Sequence, residues 1–306
     1  MVLASFHELR IRASARAEPL PLAVAAAEDL EVLTALSQAA ALGLAAPLLV
    51  GQAAKITELA EHVGLEPGEI IDQPDAGRAA LEAVGLVSSG RAGALMKGLI
   101  NTSDFMRAVL DKEVGLRTAK RLSHLAALER PGEGRLLFLS DSAVNPAPDL
   151  DAKKDILLNA LALMRQLEYS RPRVALLAAN EQINPKIPAT TDARALVEYF
   201  SNDHSISGFF EGPVALDVAI SPEAARHKGL DSRISGRTDL FLAPNIEAGN
   251  IFVKSLLHWG GASMAGLVLG AAAPIILTSR SDTPEGKLNS IALAALASGP
   301  AGHQAG

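Results

Sequence analysis

Residues 259–279 read WGGASMAGLVLGAAAPIILTS. The stretch carries no charge and is about as long as one membrane-spanning helix requires. It also divides into two shorter apolar runs, GLVLGA (266–271) and PIILTS (274–279). Continuous apolar runs of that length are what strands covered on both faces look like. The segment's several Gly and its Pro interrupt a helix and suit a turn between the runs. The rest of the chain decides between the readings, because it alternates in the manner of a soluble α/β protein. We therefore expect two buried strands of a parallel sheet, and no membrane segment.

Upstream, PLAVAAAED (21–29) reads as a strand running into the helix LEVLTALSQAAALG (30–43), which stops at a Gly. Further strands are expected at APLLVG (46–51), EIID (69–72), ALMKG (94–98), RLLFLSD (135–141), RVALLAA (173–179), SGFFEG (207–212) and DLFLAPN (239–245). Helices are expected at 56–64, 74–90, 150–168, 190–201, 246–258 and 284–298. The fold class is α/β, with two α/β/α domains and mainly parallel sheets. PGEGR (131–135) is the best candidate for a hinge. The first domain is read as 1–134 with 266–306 and the second as 135–265, with the active-site cleft between them.

The chain has 306 residues, a formal net charge of −6, few aromatic residues and no cysteine. The charge and the lack of a long basic run argue against nucleic acid as partner. The lack of cysteine excludes disulfides, thiolate metal ligands and a covalent thiol mechanism. The start, MVLASFHELRIRASARAEP, places charges where a signal peptide needs an apolar run, and a cytoplasmic location is expected.

Ligands of parallel sheets bind beyond the carboxyl ends of the strands, where helices begin. Polar groups follow the apolar runs at KGLINTS, DSAVN, EGP, NIEAGN and SRSD. P-loop, dinucleotide, nucleophile-elbow and zinc-protease motifs are absent. The seven His have no metal-ligand spacing, so His204 and His227 read as loop histidines and no metal site is expected. What remains is direct transfer in a locally electropositive cleft.

LMKGLINTSDFMRAVLDKEVGLRT (95–118), INPKIPATTDA (183–193), EGPVALDVAIS (211–221), HKGL (227–230), DLFLAPNIEAGNIFVKSL (239–256) and LTSRSDTPEGKLNSIALAA (277–295), in this order, resemble the phosphate acetyl/butyryl transferase family. The similarity runs nearly end to end. It implies reversible transfer of a short acyl group between CoA and inorganic phosphate, by direct attack of the thiol and without an acyl-enzyme. It further implies an isocitrate/isopropylmalate dehydrogenase-like fold, a homodimer, small-molecule substrates (a CoA thioester and phosphate), and no cofactor beyond CoA and acyl-CoA as substrates. A non-catalytic acyl-CoA or phosphate-binding protein derived from the family is the alternative.

By this resemblance, Ser279 and Arg280 match the family's Ser-Arg pair, in which Arg grips phosphate and Ser helps hold the developing negative charge. A planar, multi-donor cation at a helix start suits that task. Arg107 and Arg117 are further candidates for phosphate or acyl phosphate, with Thr102 or Ser103 as the cap of the intervening helix. Lys97 ends a strand and points either into the cleft or into solvent. Asn184, Lys186 and Thr190 either shape a substrate loop or build a turn. Asn245, Glu247, Asn250 and Lys254 form either a substrate-binding strand–helix junction or a plain capped helix. A base should take the thiol proton. Acetyl members carry an Asp where this chain has Gly286, which leaves Asp282, or else Glu285, as the substitute.

Overall fold

The computed structural model describes residues 2–277 and 282–298. The chain packs into two compact units. The terminal unit holds residues 6–120 and those from 264 onward; the central unit holds residues 121–263 and the first five. The sequence reading drew its lines at 134/135 and 265/266.

The terminal unit opens with α1 (Phe6–Ser14), β1 (Leu20–Ala25), α2 (Leu30–Ala41), β2 (Ala45–Gly51), α3 (Ala53–Val63), β3 (Glu69–Asp72), α4 (Ala76–Ser88), β4 (Ala94–Lys97) and α5 (Thr102–Val109). β1 pairs in parallel with β2 on one side and β4 on the other, and β3 lies outside β2. Aspartates cap α2 and α4. Asp29 accepts from the amide of Val32 at 2.9 Å, and Asp75 from that of Arg78 at 2.8 Å, each satisfying one open donor of a first helical turn.

The central unit runs through β5 (Ser123–Glu129), β6 (Leu136–Ser140), α6 (Leu150–Gln166), β7 (Arg173–Leu177), α7 (Pro188–Asn202), β8 (Phe209–Val214), α8 (Leu216–Ile220), α9 (Pro222–His227), β9 (Leu240–Leu242) and α10 (Ile246–His258). Its strand order is β5-β6-β9-β7-β8. β5 is antiparallel to β6, with Leu128 opposite Leu137, and the other neighbours are parallel. This corrects the reading of PGEGR as a hinge: it is the turn of a hairpin between two buried strands of one sheet. β5 itself was not anticipated. SHLAALE has no β-branched residue, so its composition carries no strand signal.

The chain returns to the terminal unit with β10 (Ser263–Leu269), β11 (Ile275–Ile276) and α11 (Pro284–Ala297). β11 lies parallel to β4, Ile276 opposite Met96, but antiparallel to β10, Val268 opposite Ile275. The opening stretch is thus two buried strands, as expected, but they pair as a hairpin and not in parallel. Two strands joined by a short turn can meet only antiparallel; a parallel pair needs a long crossover. Among the described residues, no helix is long and apolar enough to cross a membrane. α11 packs against α1 and α2 and is buried nearly all round.

Candidate active site

The carboxyl edge of the terminal sheet carries the first cluster of candidates. Lys97, the last residue of β4, is buried. Its Nζ donates to the carbonyls of Gly98 at 3.1 Å and Ile100 at 3.0 Å. The solvent-pointing alternative for Lys97 is therefore wrong: the ammonium folds onto its own loop, because a buried cation must keep its donors occupied. That loop is tight. A Cβ on Gly98 would lie 2.2 Å from the carbonyl oxygen of Ala26, so only glycine fits where β1 and β4 end side by side.

Asn101 holds the N-cap position of α5, with extended backbone (φ −66°, ψ 142°). Neither Thr102 nor Ser103 caps the helix, because both already lie within it. Thr102 is exposed. Arg107 sits in the last turn, its side chain 76% exposed and its Nη1 2.7 Å from Asp104 Oδ1. Arg117 is exposed in the following loop.

Arg107 lines a cavity of about 430 Å³ with Asp75, Arg78, Leu99, Asn101 and Asp104. Lys97, Thr102 and Arg117 do not line it. Arg78 was missed in the sequence, where it reads as one surface position of α4. Among the described residues its guanidinium has no ion-pair partner. At the cavity's edge the amides of Val114 and Glu113 donate to Asp111 and hold its carboxyl below the ordinary aspartate value.

Ser279 and Arg280 lie outside the described residues. Asp282 is half-buried just before α11. Thr283 caps that helix, its Oγ1 accepting from the amide of Gly286 at 3.1 Å. Glu285 is exposed, 3.6 Å from Arg10 of α1. The buried Lys287, one residue past Gly286, was not singled out in the sequence.

The central unit carries the remaining candidates. In INPKIPATT, Thr190 Oγ1 accepts from the amide of Asn184 at 2.9 Å and lies 2.8 Å from the carbonyl of Ile187. Asn184 Oδ1 accepts from the amide of Lys186 at 2.9 Å. Asn184 and Thr190 therefore build the turn, and Lys186 projects from it, exposed. Glu181, just upstream, accepts from the amide of Ala215 and from Lys228 Nζ, both at 3.1 Å. Glu181 and then Asp217 raise the Lys228 pKa, and Lys228 lowers that of Asp217.

At α10, Asn245 Oδ1 accepts from the amide of Ala248 at 2.9 Å, a regular side-chain cap. Glu247 and Lys254 are exposed. Asn250 reaches inward, its Nδ2 donating to the carbonyl of Ser142 at 3.2 Å. Gly249 lets the helix approach: a Cβ there would lie 2.3 Å from the carbonyl oxygen of Asp141.

The DSAVN loop after β6 proves to be a buried network. The carboxylate of Asp141 accepts from Asn145 Nδ2 (2.6 Å) and from the amides of Ala143 (2.8 Å), Val144 (2.9 Å) and His124 (3.1 Å). His124 Nδ1 lies 3.0 Å from Ser142 Oγ. The signal for this network was present in the sequence as a polar loop directly after FLS. The partner His124 was not, because it belongs to the unanticipated β5. His204 is exposed in a loop, whereas His227 ends α9, 3.9 Å from Glu223. Among the described residues, no group of three or more His, Cys, Asp or Glu is arranged to hold a metal ion.

The family described as Phosphate acetyl/butaryl transferase matches residues 77–295. The chain belongs to this family. A phosphate butyryltransferase of Clostridium acetobutylicum is 44% identical over 301 residues, covering 97% of this chain and 99% of that one. A phosphate acetyltransferase of Rhizobium meliloti is 43% identical over 290 residues, covering 94% and 92%. Among solved structures, a branched-chain phosphotransacylase from Enterococcus faecalis superposes with a TM-score of 0.78 at 31% identity, covering 90% of this chain and 99% of that one. The family match takes in both edge clusters, from Arg78 through Arg107 to α11, and the whole of the central unit beyond its first five residues.

Proposed function

We propose that this family member catalyses the reversible transfer of a short acyl group, butyryl or acetyl, between CoA and inorganic phosphate. In the CoA-acylating direction the thiolate sulfur attacks the carbonyl carbon of the acyl phosphate. A C–S bond forms, the C–O bond to phosphate breaks, phosphate leaves with the bonding pair, and the thiol proton passes to a base. No acyl-enzyme is formed, which suits a chain without cysteine. The observation that carries this reading is the 44% identity to a phosphate butyryltransferase across 97% of the chain. The relatives do not separate the acyl groups, since a phosphate acetyltransferase is 43% identical. One methylene more or less changes pocket affinity by only about 1–3 kcal/mol.

Arg280 is assigned to phosphate and Ser279 to the developing negative charge. Arg107 is assigned to acyl phosphate, a role its exposed place in a cavity with Arg78 supports; the exposed Thr102 and Arg117 are assigned to the same anion, and Lys97 to holding the loop before them through the carbonyls of Gly98 and Ile100. The exposed Lys186, Glu247 and Lys254 are assigned to the CoA thioester, with Asn184 shaping the turn that carries Lys186 and Asn245 and Asn250 seating the helix that carries the other two. Asp282 is the base, standing at the start of α11 where the usual Asp is replaced by Gly286. CoA and acyl-CoA are substrates, and no cofactor is required. The fold is read as isocitrate/isopropylmalate dehydrogenase-like, the location as cytoplasmic, and the assembly as a homodimer. Trp259, 91% exposed, and Ile251, 65% exposed, are apolar surface that such an interface would cover.

The test is direct. Purified protein is mixed with phosphate and acetyl-CoA, butyryl-CoA or a branched acyl-CoA, and released thiol is followed colorimetrically. Phosphate-dependent release supports the assignment, and the ratio of kcat/KM values names the acyl group. Absence of release from every short acyl-CoA overturns it.

A further inference from the structure

α11 opens around a buried cation. The Lys287 side chain is only 3% exposed, and its Nζ lies 2.9 Å from Glu31 Oε2 in the first turn of α2. The same Nζ donates to the main-chain carbonyl of Asp282. An ammonium this far from water is costly unless a carboxylate and further acceptors surround it, and both are supplied here. The helix itself does not need this arrangement. Its N-cap is Thr283, whose Oγ1 accepts from the amide of Gly286, and the amide of Lys287 bonds the carbonyl of Thr283 at 3.0 Å. On the other side, Arg10 Nη1 holds Asn289 Oδ1 at 2.6 Å. The Lys287 ammonium instead reaches backward past the cap, to a residue outside the helix.

We propose that Lys287 is a positioning residue for acyl transfer: its ammonium, neutralised by Glu31, fixes the main chain at Asp282 and so aims the carboxylate that takes the thiol proton. This rests on the reading of Asp282 as the base. A displacement of about 1 Å in a reacting group can cost on the order of 100-fold in rate, so a tether of this kind acts on turnover and not on substrate binding.

The test is a mutant cycle on the full chain, read as thiol release from butyryl-CoA and phosphate. Lys287→Met is expected to lower kcat roughly 10–100-fold with KM for acyl-CoA within about threefold, and Lys287→Arg to recover most of the loss. In an Asp282→Asn background, adding Lys287→Met should cost little more, because groups acting through one another are not additive. An unchanged kcat in Lys287→Met, or a full multiplicative loss in the double variant, overturns the inference. Should Lys287→Met fail to fold, the half-exposed Glu31→Gln carries the test: kcat should fall at least about threefold at constant KM, and an unchanged kcat overturns the tether. If Asp282→Asn alone keeps wild-type turnover, the base assignment falls and the inference with it. If Asp282→Asn is impaired while Lys287→Met is not, only the inference falls.

Discussion

Gly249 of α10 faces the carbonyl oxygen of Asp141 so closely that a Cβ would come within 2.3 Å of it. The contact seats the N-terminal turns of α10 on the loop that follows β6. A methyl group cannot be accommodated without moving backbone. Gly249→Ala should therefore destabilise the protein by at least about 1–3 kcal/mol, the usual range for overpacking. Urea unfolding checks this, and a change under about 0.5 kcal/mol would mean the helix slides freely.

Asp141 gathers four donors onto one buried carboxylate. Asp141→Asn keeps the shape but turns an amide group toward groups that donate. We expect a loss of about 1.5–3 kcal/mol, the range for hydrogen bonds to charged groups. Chemical denaturation of the variant measures it; wild-type stability would show that water replaces the carboxylate at no cost.

The fold class was legible because its signal is local. EIID is β3 to the residue, and PLAVAAAED and APLLVG fall on β1 and β2. The runs of β10 and β11 look alike whether parallel or antiparallel; their pairing direction lies in the short turn between them, which permits only an antiparallel pair. The same limit applied at the site. Which residues follow strands could be read, but not that Lys97 turns back onto Gly98 and Ile100, nor that Asn184 and Thr190 spend their polar atoms on a turn. Arg78, Lys287 and His124 were passed over because each needs a partner distant in sequence, or a cavity, to be noticed.

Burial pushes the pKa of Asp239 up, against the amide and guanidinium of Arg173 and the charge of Arg135, which pull it down. A carboxyl whose folded pKa is raised binds its proton more tightly in the native state. Its contribution to stability is then greatest below the unfolded value and declines as pH rises through the folded one. The stability of wild type relative to Asp239→Asn should fall as pH rises from the ordinary aspartate value of 3.8 through the raised folded one, then level off. Urea unfolding of both proteins across that range tests the sign, and a gap that widens with pH would mean the two arginines outweigh burial.

Arg107 pairs with Asp104 on the surface, and exposed pairs contribute only about 0–1 kcal/mol. Arg107→Ala should leave stability within that range yet raise KM for phosphate or acyl phosphate at least about tenfold, the equivalent of about 1.4 kcal/mol. Steady-state kinetics in both directions decides it; an unaltered KM removes Arg107 from the site.

Gly286 has room for a side chain: a Cβ would meet the Met264 carbonyl at 3.4 Å and Thr283 Oγ1 at 3.5 Å, ordinary contacts. Asp282→Asn should lower kcat by about 100-fold or more, the scale of general-base catalysis. Adding Gly286→Asp should restore part of it by returning a carboxylate to the position where acetyl members carry one. Turnover that stays at the Asp282→Asn level would show that position 286 does not serve as a base in this chain.

The terminal unit is assembled from two pieces of sequence separated by the whole central unit. β11 supplies a neighbour for β4, and α11 covers α1 and α2. During synthesis, then, β1 to β4 leave the ribosome with one edge and one apolar face unfinished, and stay so until residues 264–298 have been translated. Nascent chains that stall before residue 264 would hold that open edge and face, which makes the interval before β11 emerges the period when a holdase has most to shield.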